Sequence, residues 1–465
     1  MPAFLPAVSD SAAWHRRVLY LAVPVVLANL TQPLLSAVDT SVAGHLPDPA
    51  YLGGVALGGL LLNFVFWGFG FLRMGTTGLV AQAHGAGDGD VLRATLVRAL
   101  LLAFGLGGCL LLLKPLLLGL GLAALGGSAE VQAHAAAYAG ARIWAAPFAL
   151  GNYVVLGFLL GIQRVRLALA LQIWINLVNA LAVWAYVYGL NAGVAGIGAA
   201  TATADVLGFV VAVPLLYRSV RGAWPSWRIV TERAALWRLV AINRDLFIRT
   251  ICLLLGFAWF ARAGASQGDA ILAANALLLN FQTFMAYGLD GFAHAAEALA
   301  GTAVGARRRD ALWQTVKVTL CWSLGVAVLF SLAYLQFGPA IVSLLTDQPS
   351  VREAALRYLP WVVLAPLLSV WGFLFDGIFI GATRTGALMR GMLLSLAGFA
   401  LAIQVLPPML GNDGLWLAFM ILMMLRGITL ALALPALLRA TEAAGSARQD
   451  DRRYFNGRAR NAGRE

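Results

Sequence analysis

Charge is what this sequence has least of. Only 12% of its 465 residues are Asp, Glu, Lys or Arg, where soluble domains carry about a quarter. Lysine is nearly missing: Lys114 and Lys317 stand alone, and arginine supplies the rest of the basic charge. Cysteine is scarce too. Cys109, Cys252 and Cys321 each fall inside an apolar run with no ligand-like spacing, which excludes a disulfide framework or a metal set and leaves small packing residues. No phosphate-cradling loop of the Walker type is present, so ATP is not the expected energy source. Nor is there a histidine–carboxylate metal spacing or a nucleophile set beside a base. No enzyme, cofactor or metal is expected. The glycine-rich stretch 85–89 follows a helix rather than a strand and reads as a turn. Trp14-His15-Arg16-Arg17 precedes a run too long for a signal-peptide core, so no cleaved leader is expected.

Apolar residues fill the space that charge vacates, at 61% of the chain. Runs long enough to cross a bilayer, roughly 20 residues each, recur throughout, as at 18–42, 95–114, 167–190 and 415–438. Inside lipid every backbone group needs a partner within its own segment, so these runs are helices; a barrel would show short alternating strands. Breaks and charges place spans near 18–44, 52–82, 94–114, 135–161, 167–189 and 195–217, then near 246–264, 270–303, 312–336, 355–380, 389–408 and 414–438. The reading is an all-α integral membrane protein of about twelve transmembrane helices in two six-helix bundles. The net charge of +12 sits in alternate loops: Arg164 and Arg166, 218–244, Arg307-Arg308-Arg309, Arg384 and Arg390, and the tail from Arg439. The intervening loops, 45–51, 191–195 and 411–414, are nearly free of it. That is the positive-inside pattern rather than a nucleic-acid footprint. It implies a multi-pass inner-membrane protein with both termini cytoplasmic and the bilayer as its partner.

The two sets of spans are repeats. Leu60-Leu61-Leu62-Asn63-Phe64 recurs as Leu277-Leu278-Leu279-Asn280-Phe281, Ala146-Pro147 as Ala365-Pro366, and Gly157, Gly161 and Arg164 as Gly377, Gly381 and Arg384. Asn191 and Gly193 recur as Asn412 and Gly414, and the offset stays near 220. An even number of helices per half makes the repeats parallel, an arrangement in which transporters place substrate between halves that rock. The expected organisation is an amino-terminal lobe at 1–217, a basic cytoplasmic linker at 218–245, a carboxy-terminal lobe at 246–438 and a disordered tail at 439–465. The linker, with Trp224, Trp227 and Trp237 among arginines, reads as interfacial.

Ionisable groups inside spans are costly and face a bundle interior or a cavity, so they lead the search for chemistry. In the first span Asn29, Gln32, Ser36 and Asp39 form one stripe above Pro24, which removes a backbone hydrogen bond and can bend the helix. A carboxylate in a semi-dry cavity favours its neutral form, so Asp39 is a proton-coupling candidate; the bland alternative is a packing hydrogen bond. Asn152 in the fourth span and Gln172, Asn176 and Asn179 in the fifth offer cavity amides, against a reading as interhelical glue. Thr201 and Asp205 lie one turn apart in the sixth span, Asp205 as a second titrating site or the ion-pair partner of a buried arginine. The eighth span aligns Asn280, Thr283, Tyr287, Asp290, His294, Glu297 and Gly301 on one face, either a cation path or an ion-pair network with Arg73 or Arg262. Asp376 is interior in the tenth span.

Several motifs in order resemble the DinF-like branch of the MATE multidrug exporters over about residues 18–438. They are Pro24 through Asp39; Leu72-Arg73-Met74-Gly75-Thr76-Thr77-Gly78-Leu79 with Ala81-Gln82-Ala83; Tyr287-Gly288-Leu289-Asp290-Gly291-Phe292-Ala293 with Glu297; and Phe375-Asp376-Gly377-Ile378-Phe379-Ile380-Gly381-Ala382-Thr383-Arg384. The resemblance implies two six-helix bundles in a V around a cleft. It implies proton-coupled drug release at Asp39 and places family asparagines at Asn176 and Asn179. Many relatives carry a further aspartate where this chain has Val183, which throws weight on Asp39 and Asp205. The expected function is export of amphipathic, often cationic, drug-like molecules against protons, by a chain working as a monomer. Tyr153, Phe158, Trp174 and Trp184 are candidate substrate walls. The alternatives are sodium coupling through the second lobe, and a lipid or lysolipid flippase.

Overall fold

The computed structural model describes residues 5–44, 49–220 and 224–462, with side chains outside the description at 31–40, at 49 and beyond 445. Among the described residues every regular element is helical, as unbroken apolar runs in lipid require. Eleven helices or helix pairs are long and apolar enough to cross a membrane. α1 (Ser11–Gly44) precedes them and runs 34 residues, about 51 Å at 1.5 Å per residue. The first repeat continues through α2 (Pro49–Gly68), α3 (Phe71–Ala86), α4 (Gly89–Leu112), α5 (Lys114–Leu125), α6 (Ala129–Arg142), α7 (Ala146–Gly161), α8 (Val165–Trp184) and α9 (Gly193–Ser219). After the short α10 (Trp227–Val230) comes the second repeat: α11 (Arg233–Ala265), α12 (Asp269–Gly305), α13 (Arg309–Leu345), α14 (Pro349–Gly381), α15 (Thr385–Leu410) and α16 (Asn412–Ala462).

Contacts divide the chain into an amino-terminal unit, Pro24–Val80 with Gly89–Thr250, and a carboxy-terminal unit, Met1–Val23 with Ala81–Asp88 and Ile251–Glu465. The boundaries differ from the sequence reading. The segment expected as a linker at 218–245 packs into the amino-terminal unit, where buried Arg98 of α4 donates Nε–H to the Val230 carbonyl at 2.8 Å and a second N–H to that of Ile229. α11 begins at Arg233 instead of near 246 because the run Ala234-Ala235-Leu236-Trp237 has no breaker. The last helix continues to Ala462, where a disordered tail is expected.

Proline and glycine chemistry sets the breaks. Pro147, at the head of α7, cannot donate a backbone hydrogen bond; a 3₁₀ turn, Ile143–Ala145, separates α6 from α7 there. The carbonyl of Gly140 is met by Lys114 Nζ at 3.0 Å. α6 therefore ends on Arg142, in the last turn, where unpaired carbonyls favour a cation. The same span of the second repeat, α14, carries Pro360 and Pro366 and stays continuous.

Both repeats cross helices at the same small residues. A Cβ on Gly157 of α7 would lie 2.4 Å from the Arg73 carbonyl of α3, and one on Gly161 2.9 Å from that of Thr77. Gly377 and Gly381 of α14 stand in the same relation to Ala293 and Glu297 of α12, at 2.2 and 2.1 Å. Without a hydrophobic drive between helices in lipid, this close backbone approach supplies the packing that holds each unit.

Candidate functional site

The amino-terminal unit gathers polar side chains on α3, α6, α7, α8 and α9. Asp205 of α9 is half-buried. Asn152 of α7, itself buried, donates to the Asp205 backbone carbonyl at 2.9 Å. The carboxylate is electrostatically coupled to Arg142 and to Tyr153, and Arg73 acts on that same tyrosine. Arg142 donates to the Tyr138 hydroxyl at 3.2 Å and stacks over the Phe66 ring at 5.5 Å. Among the described residues Asp205 makes no ion pair within 4.0 Å, so its carboxylate has near neighbours but no bound counter-ion. Beside it, Asn179 donates to Thr201 Oγ1 at 2.9 Å, fully buried, and Gln172 donates to Asn176 at 3.1 Å on the more open part of α8. A cluster of amides, tyrosines and one carboxylate without an ion pair among the described residues can bind a cation or a proton, and neutralising the carboxylate would change its relation to Arg142.

The carboxy-terminal unit does the opposite with its deep carboxylate. Asp376 of α14 accepts two hydrogen bonds from Arg426 of α16, one at 3.1 Å, with both side chains almost wholly buried. The guanidinium also lies 5.0 Å over the Phe373 ring. The arginine stem passes Gly372, where a Cβ would lie 3.4 Å from it, in ordinary van der Waals contact. Along α12 the long polar face grades from exposed Asn280 and Thr283, through half-buried Tyr287, Asp290 and His294, to buried Glu297. His294 Nδ1 meets the Asp290 backbone carbonyl of its own helix. Elsewhere Asn275, Asn412 and Trp416 close a buried side-chain network, with Asn275 and Asn412 exchanging bonds of 2.8 and 2.9 Å.

The MatE family model matches residues 24–185 and again 246–406, once per repeat. The chain belongs to the MATE family of transporters. Its relatives include DNA damage-inducible protein F of Escherichia coli K12, 42% identical over 92% of this chain and 92% of that protein. A probable multidrug resistance protein NorM of Geobacillus kaustophilus is 24% identical over 86% of this chain and 90% of its own length. A solved outward-facing multidrug resistance MATE family transporter of the MOP superfamily superposes with a TM-score of 0.84 at 17% identity, over 92% of this chain and 97% of that one. The all-α membrane fold and the resemblance to the DinF-like branch thus stand on independent grounds.

Of the residues singled out in this MATE chain, Asn152, Asn179, Thr201 and Asp205 come together on α7, α8 and α9, with Gln172 and Asn176 farther out on α8. Pro24 is the first residue of the amino-terminal unit. The side chains of Gln32, Ser36 and Asp39 lie outside the described residues, although α1 carries all three. Val183 is fully buried on α8. Phe158 is also fully buried and cannot serve as a substrate wall, whereas Trp174 and Trp184 are exposed. Asp376, expected in a cation or ion-pair network of the second lobe, pairs with Arg426. Arg262, a proposed partner for the α12 face, is exposed on α11. Sequence reasoning missed Tyr138, whose place beside Arg142 one turn away was readable, and the buried Asp245 and Arg249 of α11, which were assigned to or next to a linker.

Proposed function

We propose that this chain is a secondary active exporter that moves amphipathic, often cationic, organic compounds out of the cytoplasm in exchange for protons, from a multi-pass position in the inner membrane with both termini cytoplasmic. The observation that carries the reading is the difference between two carboxylates, Asp376 and Asp205. Asp376 is closed by Arg426, whereas Asp205 stands in a polar interior without an ion pair among the described residues. A group that is to exchange a proton or a cation needs its charge unclaimed in one state, and Asp205 meets that condition. Asp39, on the proline-containing α1, is the primary coupling residue in this proposal and Asp205 the second. Substrate cation and proton compete for the same negative charge, so loading one expels the other. The buried Asn179–Thr201 bond holds α8 against α9, and the Asn152 contact holds α7 against α9, around the site. Closure of Asp376 counts against sodium coupling through the second lobe. The multidrug names carried by relatives support the substrate class.

Transport of a fluorescent cationic dye in proteoliposomes, with proton and sodium gradients imposed separately, tests this. Dye movement driven by the proton gradient alone, and at least tenfold slower in Asp39→Asn, is the expected result (about 1.4 kcal/mol or more in the barrier). Uptake that follows sodium only would overturn the coupling, and an unimpaired Asp39→Asn would remove that residue's role. With no movement of dye under either gradient, the flippase would take the place of the drug exporter.

A further inference from the structure

We propose that the turn between α12 and α13, together with the head of α13, is a binding site for the headgroup of an anionic phospholipid. The repeat supplies the argument. In the first half the corresponding turn reads Ala86-Gly87-Asp88-Gly89-Asp90, and in the second Ala306-Arg307-Arg308-Arg309-Asp310. The backbone does the same thing in both. Gly87 and Arg307 take φ of 73° and 57°, and the next N–H returns to the Ala83 carbonyl at 3.0 Å or the Ala303 carbonyl at 2.9 Å. The turn itself therefore needs no arginine. At Arg307 a side chain occupies the left-handed region, which costs an L-residue roughly 1–2 kcal/mol. Gln163 and Thr383 take the same backbone conformation at other helix ends, and Arg307 also donates to the Ala444 carbonyl at 3.2 Å; what sets this turn apart is three successive cations where glycine and aspartate suffice, a match for an anionic ligand.

The surroundings match one class of ligand. Arg307, Arg308, Arg309, Trp313 and Glu442 line a groove of about 820 Å³. Arg309, Trp313 and Lys317 follow at four-residue spacing on one exposed face of α13, with Lys317 Nζ 5.4 Å from the Trp313 ring centroid. Arg308 pairs with Asp310 at 3.0 Å and Arg309 with Glu442 at 3.4 Å, so among the described residues that line the groove three cations face two carboxylates, and Lys317 adds a fourth cation farther along α13. Farther along the same helix the outer face turns apolar, with Leu329, Leu332 and Leu335 each more than half exposed. Basic groups, then a tryptophan, then an exposed apolar track reproduce the order of phosphate, interface and acyl chain in a lipid leaflet. A soluble phosphate would use the cations and leave the track idle.

Thermal unfolding of the full chain in a neutral detergent, titrated with short-chain phosphatidylglycerol, tests the assignment. Phosphatidylglycerol is expected to raise the Tm by several degrees, with half-effect at about tenfold lower concentration than phosphatidylcholine of the same chain length. Arg307→Gln/Arg309→Gln/Lys317→Gln should abolish that preference, and Arg166→Gln, in another basic turn, should keep it. Should the triple variant fail to fold, Lys317→Gln alone and the count of phosphatidylglycerol molecules retained by the wild type in native mass spectrometry give the same reading. An equal response to both lipids, an unchanged preference in a folded variant, or full stabilisation by inorganic phosphate would overturn it.

Discussion

At one helix crossing the two repeats face the same geometric problem and answer it with opposite charges. Position 205 of α9 corresponds to position 426 of α16, and position 152 of α7 to position 372 of α14. The amino-terminal unit has Asn152 against Asp205 there; the carboxy-terminal unit has Gly372 against Arg426. In the second case the long side chain runs past the glycine, reaches Asp376 and closes a buried ion pair. In the first case the amide fills the space, the acidic side chain is short, and Arg142 approaches from another helix without sealing it. The difference teaches how a duplicated bundle divides its work. A closed buried pair holds the helices of one unit in a fixed relation, and an unclosed one leaves the other unit a charge that can be taken and released.

Breaking the closed side gives the largest expected effect. Arg426→Ala leaves Asp376 buried without its counter-ion and should destabilise the fold by about 3–5 kcal/mol, read from detergent melts. The double variant Asp376→Asn/Arg426→Gln should recover most of the loss. If Arg426→Ala melts like wild type, the pair does not fix the unit. A smaller effect tests the crossing on which both pairs depend. Gly377→Ala places a methyl 2.2 Å from the Ala293 carbonyl, and overpacking of this kind costs about 1–3 kcal/mol. Gly157→Ala should behave alike in the other repeat, and a neutral result at both positions would show that the crossings are looser than their distances. The smallest stability effect belongs to Asp205→Asn, within about 1 kcal/mol because no ion pair is lost. Its dye transport should nevertheless lose much of its dependence on pH. A variant with wild-type pH dependence would leave Asp39 as the sole coupling group.

Much of the architecture was legible because membrane physics leaves few choices. Runs of apolar residues near bilayer length, the recurrence of Leu60–Phe64 at Leu277–Phe281, and the paired Gly157/Gly161 and Gly377/Gly381 were enough to read two six-helix repeats. The site was legible in part. Helical spacing put Thr201 and Asp205 on one face of α9 and Asn176 and Asn179 on α8, and the Asn179–Thr201 contact joins those faces. It did not show that Phe158 points into the core, since an aromatic side chain suits lipid, core and cavity equally well.

The sequence by itself determined that this protein crosses a membrane, that it does so as helices, and that it is duplicated. Backbone groups in hydrocarbon have no partner outside their own helix, and that constraint reads directly from run length. Only the tertiary structure decided which charges answer one another. Asp376 and Arg426 are 50 positions apart, and helical spacing fixes which face of its own helix a residue occupies, not how that helix is rotated against its neighbour. The rotation is set where small residues let two backbones touch, and there one unit closes its ion pair while the other leaves Asp205 open.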